Sequence, residues 1–356
     1  MFSGKLKNNS NPLKLVLLLI ISIVLISCET VSYYTQAARG QLAIVFARED
    51  LQRLLSEEDL SPPLREKFGK VLQIREFAER ELLLPVGENY LTYVDVEREH
   101  VVWNVFAAPE FSTEAQNWCY PITGCVSYRG YFSELAAIRY AEQLKAEGFD
   151  VYTGGVDAYS TLGWFQDSLL STVLSREDYQ LAGLIFHELA HQLVYLPGDT
   201  TFNESFASTI EQEGLRRWLL SNDQVETIDT AVTDRARQQQ FVQLVIEYRD
   251  KLDALYKKEM TASVMRSEKT QLQSQLREAY QKLKQEWQAY AGYDGWFSQP
   301  LNNAQLSTVG SYNDMVPFFT GLLQQFNQNL ALFYKEVKRI AELSDADREA
   351  LIAGGR

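Results

Sequence analysis

The chain has 356 residues, 46% of them hydrophobic and 12% aromatic, so it can bury a core and is too apolar for a disordered polyampholyte. Its length allows one large domain or two medium ones, and its formal charge of −13, from 47 acids against 34 bases, argues against nucleic acid or an anionic membrane surface as the main partner. With only three histidines and three cysteines, chemistry that needs them is confined to a few places.

The first such place is near the start. Lys5, Lys7 and Lys14 precede an uncharged apolar run from Leu15 to Ile26, the basic-then-apolar order of a secretory signal. The run is shorter than the roughly 20 residues a bilayer-spanning helix needs, which favours a cleaved signal over a permanent anchor. It ends in Leu25-Ile26-Ser27-Cys28, which resembles a bacterial lipobox. That resemblance implies that residues 1–27 are a lipoprotein signal peptide and that Cys28 carries lipid as the mature N-terminus. The mature chain is then tethered to a membrane outside the cytoplasm, and Glu29 after the cysteine points to the outer membrane by similarity to lipoprotein sorting patterns. Without the three leader lysines, 31 bases face 47 acids, a charge of −16.

Apolar residues at helical spacing predict a helix from Val31 to about Leu55, with a Pro62-Pro63 break and a second helix from about Leu64 to Leu84. Tyr90 to Val94 and His100 to Phe106 read as strands of a small sheet, and His100 is read as structural. Cys119 and Cys125 lie six apart; a disulfide-closed loop and two buried thiols are equally compatible with that spacing. A helix follows near Ser133 to Glu147, capped by Ser133 and stopped by Gly148, and then strands at Phe149 to Tyr152 and Val156 to Phe165. Two helices, about Arg176 to Leu196 and Asn203 to Leu220, flank a turn with Pro197, Gly198 and Asp199. The charged stretch from Asp229 to Tyr290 has apolar positions three and four apart, such as Phe241, Val245, Tyr248 and Leu252, and predicts a long helical hairpin. A last helical stretch runs from Val316 to Leu343.

The chemistry concentrates on the first central helix, in His187-Glu188-Leu189-Ala190-His191, an H-E-x-x-H. Residues four apart differ by about 40° around a helix, so both imidazoles can reach one ion, and neutral imidazole suits zinc. Glu188 sits on the flank of that face, where its carboxylate can take a proton from water activated at the metal. A catalytic zinc site takes three protein ligands and leaves one position open.

The next helix contains Asn203-Glu204-Ser205-Phe206-Ala207-Ser208, which resembles the N-E-x-F-A-S motif of gluzincin metallopeptidases. In that group the motif glutamate is the third zinc ligand, which implies that role for Glu204. Asn203 is a good N-cap residue, and Glu204 and Glu211 fall on one side of the helix. The 12-residue gap between His191 and Glu204 is shorter than in the best-known gluzincins, which leaves Glu211 and Asp199 as alternatives. The G-x-M-E-N segment that reads a free α-amine in one group of gluzincin aminopeptidases is absent. Over most of the mature chain the sequence resembles a bacterial lipoprotein family of predicted aminopeptidases. The resemblance is carried by Tyr34 to Leu42, Cys119 to Tyr131, Ala158 to Phe165 and the metal region.

These readings together predict an α+β chain with a zincin-like metallopeptidase fold: a small mixed sheet, a metal helix pair and an inserted helical hairpin. The expected division is a catalytic domain at 28–228, the hairpin at 229–293 and a segment at 294–356 returning to the catalytic domain. The expected activity is that of a zinc peptidase, with peptide as substrate, Glu188 as general base, and Tyr312 or Tyr159 as donor to the developing oxyanion. Tyr312 lies in an uncharged segment after the hairpin, and Tyr159 lies in a strand expected to bind extended peptide. A non-catalytic zinc-containing envelope protein that binds a partner, and a zinc hydrolase of cell-wall peptide, remain open from sequence.

Overall fold

The computed structural model describes residues 31–120, 124–158, 166–310 and 314–354. The chain is α+β, with helices dominating and short strands gathered into three small sheets. The expected signal segment and Cys28 lie outside the described residues. Among those described, no helix is long and apolar enough to cross a membrane.

The single helix expected from Val31 to Leu55 is two. Helix α1 (31–46) stops at a turn, β1 (Glu49–Asp50) runs extended, and α2 (Leu51–Ser56) starts anew with Asp50 accepting the Arg53 N–H at 2.8 Å. The apolar spacing hides this break because Leu51 and Leu54 form their own buried face, whereas Leu42 and Phe46 are exposed. Pro62-Pro63 does not merely end what precedes it but opens α3 (Pro62–Arg80), since proline in a first helical turn gives up an amide that has no helical partner anyway.

Strand β2 (Thr92–Val94) pairs antiparallel with β1 and parallel with β8 (Leu169–Leu170). A second sheet has β3 (Val102–Pro109) between β6 (Arg129–Tyr131) and β7 (Phe149–Val156), all antiparallel. Phe149 to Val156 is thus one strand, registered from Val102↔Val156 to Pro109↔Phe149, so the strand expected to end at Tyr152 runs on to Val156, where the next was expected to open. Gly155 is required there: a Cβ on it would fall 1.9 Å from the His100 ring, which accounts for His100 as a packed residue whose Nδ1 meets Asp157 at 2.6 Å. Strands β4 (Trp118–Tyr120) and β5 (Gly124–Val126) form a hairpin closed by the Cys119–Cys125 disulfide, which resolves the thiol alternative. Helix α4 (Glu134–Ala146) is capped by Ser133 as expected and packs Ala137, Ala141 and Leu144 on the second sheet.

The main core lies around α3, α5 (Asp178–Leu193) and α6 (Thr200–Ser221). Leu181, Ile185, Phe186 and Leu189 of α5 meet Phe202, Phe206 and Ile210 of α6, all at most 1% exposed, and each such side chain contributes about 1.5–3 kcal/mol by leaving water. Gly214 allows the close approach, since a Cβ there would lie 2.9 Å from the Phe186 ring. The expected helix from Val316 to Leu343 is interrupted: Asn327 and Gln328 are left-handed, and α11 (Val316–Gln325) and α12 (Leu330–Ala341) are separate, the latter capped by Asn329. Both cover α6 through Phe319 and Phe333, and α13 (Asp345–Gly354) adds Ile352 to the same core.

Helices α7 (Val225–Tyr256) and α8 (Ala262–Glu286) form the long hairpin. They run antiparallel, because Trp287 Nε1 donates to Gln240 at one end and Tyr248 Oη to the Gln275 carbonyl nearer the turn. Their core of Phe241, Val245, Leu252, Leu276 and Tyr280 is separate from the main core, and it includes Phe297 of α9 (Asp294–Phe297) and Leu306 of α10 (Asn303–Leu306). Lys269 of α8 ties the hairpin to β7, donating to Asp150 Oδ2 at 2.6 Å and to the Glu110 carbonyl at 2.8 Å.

Candidate metal centre

Helix α5 begins with a reciprocal capping box between Glu177 and Gln180 and continues without a break through the histidines. One turn apart, His187 and His191 present their rings edge-to-face with centroids 4.9 Å apart. The turn through Pro197 and Gly198 returns the chain to α6, which begins three residues earlier than expected. Asp199 is its N-cap, accepting the Phe202 N–H at 2.9 Å. Asn203 is therefore not a cap but a buried clamp inside the first turn: its Oδ1 accepts the Leu196 N–H at 2.7 Å and its Nδ2 donates to the Leu196 carbonyl at 2.8 Å. This clamp explains how so short a gap still delivers Glu204 to the histidines.

Glu204 faces both imidazoles, with Oε2 3.3 Å from His187 Nε2 and Oε1 3.5 Å from His191 Nε2. Ligand atoms of His187, His191 and Glu204 all lie within 4.8 Å of one another, and the group could hold a metal ion. The separations suit one. Tetrahedral bonds of about 2.0–2.2 Å put ligand atoms about 3.3–3.6 Å apart, close to the distance from each ring nitrogen to a Glu204 oxygen. Glu211 takes the other edge of the first ring, with Oε2 3.1 Å from His187 Nδ1. Asp199 faces away, toward Arg348 Nε at 3.7 Å.

The electrostatics also call for a cation. Burial disfavours a charged His187, yet its bonds to Glu204 and Glu211 outweigh that and raise its pKa to about 10. Burial and the neighbouring charged His187 push His191 down to about 4. Glu204 and Glu211, despite burial, are held below the ordinary carboxylate range by bonds to His187. The two carboxylates thus favour positive charge beside the imidazoles they face.

Glu188 is raised to about 7, first by burial and then by the charges of Asp167, Glu204 and Glu211, against His187. A carboxyl poised near neutrality suits a group that accepts and returns a proton. On its far side a small cavity is lined by Tyr90, Ala158, Asp167 and Leu169. Asp167 is itself fixed: its N–H donates to Asn89 Oδ1 at 2.7 Å, and Gln192 Nε2 donates to its carboxylate at 3.2 Å. Tyr90 stands beside it in a left-handed conformation, φ 58°, unusual for an aromatic residue. Asn89, Tyr90 and Asp167 carry no local signal of this role, because they come from separate segments, whereas Gln192 is marked only by its place next to His191.

A larger cavity of about 1010 Å³ opens on the other side of His187 and Glu188 and reaches Glu211, Arg176 and Arg235. Tyr159 and Tyr312 lie outside the described residues. Among the described residues, Ala158 lines the small cavity beside Glu188, and the Met315 N–H donates to Ser205 Oγ at 3.1 Å, one residue from Glu204.

A family model described as "Putative aminopeptidase" matches residues 32–352. No curated protein and no solved structure matches the chain.

Proposed function

The chain belongs to the "Putative aminopeptidase" family, and on that premise we propose that it is a zinc-dependent aminopeptidase of zincin-like fold. The observation that carries this reading is the convergence of His187, His191 and Glu204 at one point, with Glu188 beside them at the wall of a cavity. Three ligands of this kind are the complement of a catalytic zinc, while structural zinc closes all four positions with protein.

His187, His191 and Glu204 would hold the ion, and Glu211 would orient His187 by accepting its Nδ1–H. Zinc, when bound, supplies Lewis acidity toward water and the scissile carbonyl. Glu188 takes the proton of the attacking water and returns it to the leaving amine, a shuttle favoured by its position between charged neighbours in a buried setting. The acidic surroundings of Glu188, Asp167 and Glu211 suit a substrate that brings a free amine. From the sequence, Tyr312 is the proposed donor to the developing oxyanion and Tyr159 its rival.

We also propose that Cys28 carries the lipid and holds the enzyme in the cell envelope, on the periplasmic face of the outer membrane. Helix α1 supports this: it starts three residues after Cys28, contains no acidic residue in an otherwise acidic chain, and exposes Val31, Tyr34, Leu42 and Phe46. Cys28→Ala should release the protein from the membrane fraction, and its retention there would refute the lipid anchor.

The activity is tested with zinc-loaded protein on matched peptides with free and acetylated N-termini. Cleavage of the free-amine peptide alone is expected. Cleavage of both would replace aminopeptidase with endopeptidase action, and cleavage of neither by protein holding one zinc would overturn the peptidase reading.

A further inference from the structure

The large cavity contains a charge that hydrolysis itself does not require. It extends from His187 and Glu188 of α5, past Glu211 of α6, to Arg235 of α7, and Arg176 lines it just ahead of α5. Arg235 makes no hydrogen bond or ion pair among the described residues, and its Nε is sealed from water without an acceptor. A guanidinium offers five N–H donors and keeps its charge, so leaving it half-buried and unmatched is costly unless an acceptor arrives from outside.

The carboxylates nearby are already committed. Glu211 accepts from His187 Nδ1 at 3.1 Å. Asp234, next to Arg235 in sequence, accepts from Tyr179 Oη at 2.8 Å and from Arg237 Nη1 at 2.9 Å. Asp157 stands 3.7 Å from Arg176, beyond the range of a charge-assisted hydrogen bond, so Arg176 too has donors to spare. Both arginines line the same cavity as Glu211 and the candidate ligand His187, and both lower the pKa of Glu211 through their charge without bonding to it.

We propose that this cavity takes a peptide bearing a carboxylate within about two residues of the scissile bond, paired with Arg235 and assisted by Arg176. The inference rests on the peptidase reading and narrows it to a substrate class. Two sources supply such a group: the C-terminus of a di- or tripeptide, or an acidic side chain next to the cleaved bond. A volume of about 1010 Å³ accommodates either.

The test uses tripeptides that share a free N-terminus and differ only in a carboxylate: free acid against C-terminal amide, and Glu against Gln at the second position. Binding to Glu188→Gln protein is followed by calorimetry, and KM and kcat are measured with the zinc-loaded wild type. Replacing the recognised carboxylate is expected to weaken binding and raise KM about 10- to 100-fold, with a smaller change in kcat. A free-acid preference identifies the C-terminus, and a Glu preference the side chain. In Arg235→Gln the preference for the carboxylate-bearing peptide should vanish, and in Arg235→Lys it should return in part. Equal binding of all four peptides by the parent protein, or a preference that survives Arg235→Gln, overturns the proposal. The wild-type peptide comparison decides it even if the variant fails to fold. Should no peptide be cleaved, the peptidase reading fails, while the binding series still decides the carboxylate question.

Discussion

Glu211 accepts from His187 Nδ1 at 3.1 Å, on the ring edge opposite the Nε2 that faces Glu204 at 3.3 Å. One imidazole is thus held between two carboxylates, of which the motif resemblance favours Glu204 and the spacing keeps Glu211 as the alternative, and each meets a different ring nitrogen. On the proposed reading, the carboxylate on the Nδ1 side would orient the ring, and the one facing both Nε2 atoms would share the ion.

Removing each carboxylate should therefore act differently on the metal. Glu204→Ala is expected to lose the ion altogether, while Glu211→Gln should weaken its affinity about 10- to 100-fold. Competition with a chelator, read by metal content, checks both. Loss of metal from a Glu211→Ala variant with retention in Glu204→Ala would reverse the assignment.

In the proposed mechanism Glu188 moves the proton and does not hold the ion. Glu188→Gln should keep one equivalent of metal and reduce kcat about 10²- to 10⁴-fold. Metal analysis beside single-turnover rates on the same sample separates the two effects, and an active Glu188→Gln protein would exclude this residue as the base.

The hairpin is pinned by a pair with little exposure to solvent, Lys269 at 9% and Asp150 at 17%. Lys269→Met leaves Asp150 facing the Asn303 N–H, at 2.9 Å, with no cation, and should cost about 3 kcal/mol in denaturant unfolding. The double variant with Asp150→Asn should recover part of that loss, since no buried charge then remains unpaired.

Glu213 of α6 receives Arg216 and Arg217, whose guanidiniums also reach Gln328 in the α11–α12 connection. Burial raises its pKa, but the two arginine bonds outweigh burial and hold the carboxyl below its usual range. A depressed folded-state pKa means that its stabilisation is present above the unfolded value of about 4.3 and is lost as pH falls through the folded value. Glu213→Gln should thus be less stable than the parent by about 1–2 kcal/mol at pH 7, with the difference shrinking below about pH 4. Melting curves across that range check the trend; a constant difference would show that charge is not its source.

Much of the site was legible in the chain itself. The four-residue spacing of His187 and His191 already requires a shared helical face, because helix geometry is local, and Ser133 and the apolar positions of Asp229 to Tyr290 report caps and pairing for the same reason. What local rules could not decide was wherever separate segments compete or meet. The pattern from Val31 to Leu55 concealed a break, since periodicity resumes after Asp50 without recording the interruption. Glu204 and Glu211 lie seven apart on one helix, and only the angle at which α6 crosses α5, together with the Asn203 clamp on Leu196, assigns one to the Nε2 side and the other to Nδ1. Arg235 lies in the charged stretch from Asp229 to Tyr290 that predicts the hairpin; it lines a cavity because α7 packs against α6, a tertiary contact that no window of sequence contains. The sequence by itself determined which residue types could hold an ion, and the tertiary structure decided which of them converge, because ligand geometry depends on distances between elements that share no local periodicity.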